Sequence, residues 1–532
     1  PCQSCHEDMA DNPPQACGRC HGRPNEADSP ARIGLKGAYH RQCMGCHERD
    51  IQPAPAPTEC DSCHHPWTPD HGPLVALDDR PSPQDVTAAC LECHAAVGED
   101  LLETAHWNWC GQSPPLAGYQ HRTGAGLPLM VNNYCVAIGA DPESCANCHI
   151  GYGRMDEGFD FENPVNLDCL ICHDTTGTYS KDTFDAGLPP ADLDLAAVAE
   201  QVGRPTRRNC GFCHFASGGG PNAKHGDLEP ALEDPPPGFD QHMGILDMRC
   251  QDCHSTRHHR IAGMSMTAPA VEGRVHCEQC HSPTPHGVVG MLGQHLDDHV
   301  RSVACETCHI PAFARSSPTL LHRDLSAAGH RQEAGRDEFG MPTHDPRFGT
   351  LVWGVDQVPT YLWWNGDRHA TRTGDRIQPR RGVVLNAPAG EKRDPTARIH
   401  PCKAHTAIQP YDTATNVLAV TRLFAEDWGD FDWDRSIREG MHAMGLEYSG
   451  SYGWVETTLY TGIHHGVVPA ADALGCTDCH STQAANCVRC HRGAEGMDRP
   501  EHTRRVYPDS PRRLDFEALG YPDDPALTGG RF

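Results

Sequence analysis

The chain is 532 residues long, 38% hydrophobic and only 6% aromatic, with 52 Gly, 45 Pro and a formal charge of −27. So acidic a chain excludes nucleic acid and anionic membrane surfaces as partners, since their phosphates repel it, and no apolar run reaches the roughly 18 residues of a transmembrane helix. The Gly and Pro content suits irregular connections or disorder, unless something other than side chains supplies a core; 29 Cys and 36 His are the first sign of it.

Those residues fall into one pattern, Cys-x-x-Cys-His, written thirteen times. The first four motifs are Cys2, Cys5 and His6; Cys17, Cys20 and His21; Cys43, Cys46 and His47; and Cys60, Cys63 and His64. The next four are Cys90, Cys93 and His94; Cys145, Cys148 and His149; Cys169, Cys172 and His173; and Cys210, Cys213 and His214. Then come Cys250, Cys253 and His254; Cys277, Cys280 and His281; and Cys305, Cys308 and His309. The last two are Cys476, Cys479 and His480, and Cys487, Cys490 and His491. Two thiols at this spacing bond to the two vinyl groups of one porphyrin, and the following His ligates its iron, so the motif is the attachment signature of haem c. Zinc ribbons need paired motifs and no His after each second Cys, and dithiol redox pairs occur once or twice. Neither explains thirteen repeats. Thirteen covalent haems would then supply the buried apolar surface, and the compartment is extracellular or periplasmic, where such haem is attached, with a signal peptide removed before Pro1.

Residues 1–80 hold four motifs and Pro-rich stretches, an N-terminal tetrahaem module. Residues 84–480 form a larger core, with seven motifs up to His309 and an eighth at Cys476. Inside it, Asp192–Val202 has an acidic start and Gly203 as its stop, the signals of a helix. Segment 316–470 has no motif and six of the nine Trp (Trp353, Trp363, Trp364, Trp428, Trp433 and Trp454). Alternation at Gly349–Val355 and Gly382–Leu385 predicts short strands there, in a structural part that covers the catalytic side. Residues 481–532 carry the last motif and a tail. The expected fold is mainly α, with long irregular segments and a few short strands, organised around covalent haems.

Electron-transfer haems take a second axial ligand, usually another His. Thirteen His belong to motifs, leaving 23. His40 precedes Cys43 by three residues and His299 precedes Cys305 by six. His259 and His286 each follow a motif His by five. His65, His71, His106, His242, His405, His465 and His502 complete the candidates. Cys402 reads as a small buried residue.

From about Asp85 to Pro525 the chain resembles the octahaem tetrathionate reductase family. The motifs that carry the resemblance include His106-Trp-Asn-Trp109, Asn132-Asn-Tyr-Cys135, Phe159-Asp-Phe161, Asp168-Cys-Leu-Ile-Cys-His-Asp-Thr-Thr-Gly-Thr-Tyr179, Lys224-His-Gly-Asp-Leu228, Lys403-Ala-His405, Gln409-Pro-Tyr-Asp412 and His465. Eight motifs, Cys90 to Cys476, match an octahaem core; four before and one after are additions. The resemblance implies that Lys224 replaces His on the iron of the haem at Cys145 and Cys148, leaving a face for substrate, with Cys135 beside it. The alternative is that Lys224 is a surface charge and His225 the ligand. Cys110 puts a Cys110–Cys135 disulfide in play, which would remove a thiol role for Cys135.

Two functions follow. In one, the chain is a conduit that exchanges electrons with other electron-transfer proteins and polymerises with copies of itself. In the other it is an oxidoreductase that reduces tetrathionate, nitrite or hydroxylamine at the lysine-ligated haem.

Overall fold

The computed structural model describes residues 70–108, 133–134, 140–141, 146–153, 159–182, 187–216, 220–263, 275–287, 290–329, 335–423, 431–480 and 513–525. Among these, helix and strand are mixed, so the mainly α expectation is corrected. The chain divides into two units, Pro1–Pro69 with Val275–Arg301, and Asp70–Arg274 with Ser302–Phe532.

In the larger unit the motifs sit on short helical turns. Helix α1 spans Pro83–Leu102 and starts at a capping box, in which Ser82 accepts from the Asp85 amide and Asp85 caps in return. It carries the Cys90 motif and leaves helical geometry at His94. Helix α2, Arg207–His214, is capped by Thr206 and Asn209 in the same manner and ends on its motif His. Leu170–His173, Cys250–Cys253, Cys305–His309 and Cys476–Cys479 are single turns over further motifs. Residues three apart share a helix face, so each turn aims its two thiols the same way. The predicted helix at Asp192–Val202 is present as Leu195–Glu200, capped by Asp194. Val86, Trp107, Leu167, Leu170, Ile171, Leu195 and Val198 form the core of this part.

The motif-free segment builds a nine-stranded sheet. Its strands are β1 (Thr319–Asp324), β2 (His344–Asp345), β3 (Gly349–Gly354), β4 (Thr360–Trp364), β5 (Arg368–Ala370), β6 (Val383–Pro388), β7 (Arg398–Asp412), β8 (Val417–Leu418) and β9 (Tyr452–Gly462). The order is β2-β3-β1-β7-β9-β6-β5, with β4 and β8 also paired to β7. β1 runs parallel to β7 and β6 parallel to β9; the other pairs are antiparallel. The two alternating stretches seen in the sequence are β3 and β6. The 15-residue β7 and 11-residue β9 are what the few-short-strands expectation missed.

The inner sheet face packs Leu320, Leu351, Trp353, Leu385, Val455 and Leu459 against Tyr134 and Ala223. Polar groups tie the same face to the haem-bearing part. Fully buried Lys403 of β7 donates to the carbonyls of Ala223 (2.7 Å) and Lys224 (3.1 Å) and to Thr319 Oγ1 (2.5 Å). Burial pushes its amine well below the usual lysine pKa. Tyr134 donates to the same Lys224 carbonyl at 2.8 Å. Asn133 donates to the His405 carbonyl at 2.6 Å and accepts from Gln409 and Thr457. No helix among the described residues is long and apolar enough to cross a membrane.

In the smaller unit, Cys277–Gln279 is a 3-10 turn and Gly290–His299 a helix. His286 Nδ1 lies 3.0 Å from Asp297, and His299 Nδ1 donates to the His295 carbonyl at 2.7 Å.

Lys403→Met removes three donors from buried acceptors, at about 1–3 kcal/mol for each group left unsatisfied. The haem-loaded variant is expected to melt well below the wild type in calorimetry, whereas Lys392→Met on the exposed surface changes little.

Candidate haem sites

A histidine that binds iron through Nε2 must anchor its other nitrogen, and the partner of that nitrogen fixes the tautomer. His173 Nδ1 lies 2.8 Å from the Gly203 carbonyl and His254 Nδ1 lies 2.7 Å from that of Ala262. A carbonyl only accepts, so Nδ1 carries the hydrogen and Nε2 keeps its lone pair. His480 Nδ1 lies 2.7 Å from Asp524, a buried carboxylate. Burial lowers the ring pKa of His173 and His254 and favours the neutral, ligating form.

His149 breaks the pattern. Its Nε2, not Nδ1, lies 2.6 Å from a carbonyl, that of Trp107, and its ring stacks on the Trp107 indole at 5.0 Å. Burial pushes its ring pKa down to about 4, and the Nε2 hydrogen faces Trp107. The Lys224 amine acts electrostatically on Cys148 of the same motif and on His214.

Ring separations test whether the described residues fit a bis-histidine haem. Two imidazoles on one iron, each with a metal–nitrogen bond of about 2.0 Å, have ring centres about 6 Å apart. His173 and His259 are 6.3 Å apart, His254 and His465 are 6.2 Å, and His106 and His214 are 6.3 Å. His225 is also 6.4 Å from His214. The donor set and the spacing both fit haem c. His465 Nδ1 lies 3.0 Å from Asp227. Burial works against the charged His465 ring, but the Asp227 carboxylate outweighs it and raises the pKa. Burial works against the Asp227 carboxylate too, yet His465 holds it at about 2.

His71 acts on His173 together with His94, and its Nδ1 is buried without a hydrogen-bond partner. His405 lies inside the sheet, stacked on Tyr134 at 4.3 Å, with neither ring nitrogen hydrogen-bonded. His242 lies on the helical turn Gln241–Ile245. Cys402 is fully buried on β7. Three of the described motifs present groups at the surface: Cys93 is exposed on α1, Cys253 in the Cys250 motif, and Cys277, Cys280 and His281 in the smaller unit.

Other expected attachment and ligand residues lie outside the described residues, so the geometry above does not extend to them. In the first four motifs these are Cys2, Cys5 and His6, Cys17, Cys20 and His21, Cys43, Cys46 and His47, and Cys60, Cys63 and His64. In the last motif they are Cys487, Cys490 and His491. Cys110, Cys135, Cys145, His40, His65 and His502 lie outside as well.

The sequence reading missed His464. Its Nδ1 lies 3.4 Å from Glu306 inside the Cys305 motif, and its Nε2 is buried without a hydrogen-bond partner. Its ring centre is 6.3 Å from that of His400. Only adjacency to His465 marks it in the sequence. The attachment thiols also meet between motifs. Cys169 lowers the Cys90 thiol pKa, Cys213 that of Cys148 and Cys210 that of Cys250, and Cys213 Sγ lies 3.7 Å from the Cys148 carbonyl.

Comparison with known proteins agrees with this chemistry. Residues 321–483 match the family model described as bacterial cytochrome c, and residues 1–69 match the class III cytochrome c family. Over 64 residues the chain is similar to the high-molecular-weight cytochrome c of Nitratidesulfovibrio vulgaris (52% identity, 12% of each chain). It is also similar to the nine-haem cytochrome c of Desulfovibrio desulfuricans (40% over 65 residues, 12% of this chain and 20% of that one). The matched stretches thus span a small fraction of those two relatives. The crystal structure of an octahaem cytochrome c from Shewanella oneidensis superimposes with a TM-score of 0.75 at 36% identity, over 87% of this chain and 99% of that one. With histidines set for iron and a relative matched along nearly its whole length, the chain belongs to the octahaem branch of the multihaem c-type cytochromes, and its activity is electron transfer.

Proposed function

We propose that all thirteen motifs carry haem c and that the chain is an electron conduit outside the cytoplasm, exchanging electrons with other proteins and polymerising with its own copies. The proposed layout is the tetrahaem module 1–80, the core 84–480 and the C-terminal haem region 481–532. The observation that carries the reading is the pairing of histidine rings, His173 with His259 at 6.3 Å, His254 with His465 at 6.2 Å and His106 with His214 at 6.3 Å between centres. Bound haem c supplies a reversible one-electron couple at each site. His173 with His259, His254 with His465, and His214 with His106 would hold iron in their haems, and His71 would serve the His94 motif. Gly203, Ala262 and Asp227 orient the imidazoles. Further haem at both ends lengthens a wire but adds nothing to turnover at one site. Purified protein is expected to sediment as polymers. A monomer at every ionic strength would contradict the conduit reading.

A second reading, reduction of a small sulfur or nitrogen oxo compound beside the motif of Cys145 and Cys148, is favoured by the turned ring of His149. Lys224 then takes the iron position that His149 gives up, and Cys135 is proposed beside it. Lys224→Ala is expected to alter the paramagnetic resonance of one haem, whereas His149→Asn leaves every ligand field unchanged. Loss of a low-spin signal in the His149 variant would contradict this assignment.

A further inference from the structure

Between the Cys145 and Cys169 motifs lies a salt bridge with no exposed side-chain surface, Lys181 Nζ to Asp168 Oδ2 at 3.1 Å. Its two ends serve different motifs. Lys181 Nζ donates to the carbonyl of His149, the last residue of the Cys145 motif, at 2.6 Å, and to that of Gly151 at 2.9 Å. Asp168 immediately precedes Cys169, and its Oδ1 accepts the Ile171 amide inside that motif at 3.1 Å. The hydroxyls of Tyr152 and Tyr179 complete the carboxylate's partners at 3.0 and 2.9 Å. The charges reach the attachment thiols in the same sense: Lys181 acts on Cys148 and Cys213, and Asp168 on Cys169 and on Cys172, where it outweighs the opposite effect of Lys181.

A structural role would need only the hydrogen bonds. Neutral residues of similar shape can provide packing, and a buried ion pair is weak evidence for stability in itself. What only the charges provide is a field, and it is least screened where water is excluded. A cation close to a redox centre stabilises the reduced state and raises its potential; an anion lowers it. The pair is therefore a fixed dipole with its positive end on one haem motif and its negative end on the next.

We propose that the Lys181–Asp168 pair sets a potential step, raising the haem of the Cys145 motif above that of the Cys169 motif. Electrons are thereby drawn toward the motif that Lys224 approaches. This rests on haem c filling both motifs, not on Lys224 being an iron ligand or on polymerisation.

The test is potentiometric titration of the haem-loaded protein, followed by optical and paramagnetic resonance spectra, with covalent haem counted by mass. Lys181→Met is expected to move one or two midpoints down, Asp168→Asn to move one or two up, and Lys181→Arg to restore the wild-type profile. Shifts of the same sign in both single variants would indicate loosened packing and overturn the proposal, as would unchanged midpoints. If a single variant fails to accumulate, the double variant with Lys181→Met and Asp168→Asn decides: the two potentials should draw together, and a retained separation overturns it. Haem missing from either motif by mass would refute the premise instead, a distinct outcome.

Discussion

The constraint on which the structure depends is three-point attachment of each haem by five consecutive residues. Two thiols and one imidazole must face the same group, and a single helical turn arranges this because residues three apart share a face. The helices obey that demand before any other. α1 breaks helical geometry at His94, α2 stops at His214, and four further motifs lie on isolated turns too short to be stable alone. With so few aromatic side chains, such turns are held by covalent haem and by caps rather than by their own propensity.

The sheet answers a second demand, the placing of further histidines beside two of the motifs. Where β9 ends, His464 and His465 point different ways: His464 meets Glu306 of the Cys305 motif, and His465 meets Asp227 and faces His254. One rigid strand end thus addresses two haem sites. β7 acts from the inner face, where Lys403 grips the backbone of Lys224 and fixes the approach to the Cys145 motif. Asp227, three residues on, is the partner of His465. Sheet and haem array are in this way a single mechanical object, and that is why segment 316–470 needs no motif of its own.

The motifs were legible because covalent chemistry is local: five residues contain all it requires. His259 entered as a candidate from its offset to His254, His106 and His465 through the family motifs, and the fold brings their rings within 6.2–6.3 Å of a motif His. The extent of the sheet was not. β7 turns Lys403, His405 and Gln409 inward and β9 turns Thr457 and Thr461 inward, so the hydropathy alternation that betrays a strand is erased where the strands are longest. The start of α1 is readable in Ser82-Pro-Gln-Asp85, a capping box with proline at the first helical position. His400 and His464 carry no local signal; only the register of β7 and the end of β9 bring them together. That His149 turns its ring to Trp107 could not be read at all, since its motif is identical to the other twelve.

The most direct test of contiguous, histidine-paired haems is a cryo-electron microscopy map of the haem-loaded protein. The account predicts thirteen covalent haems, with one iron between His173 and His259, one between His254 and His465, one between His106 and His214, and His149 off the metal. A map in which any of those pairs serves two different irons, or in which His149 is an axial ligand, would contradict it.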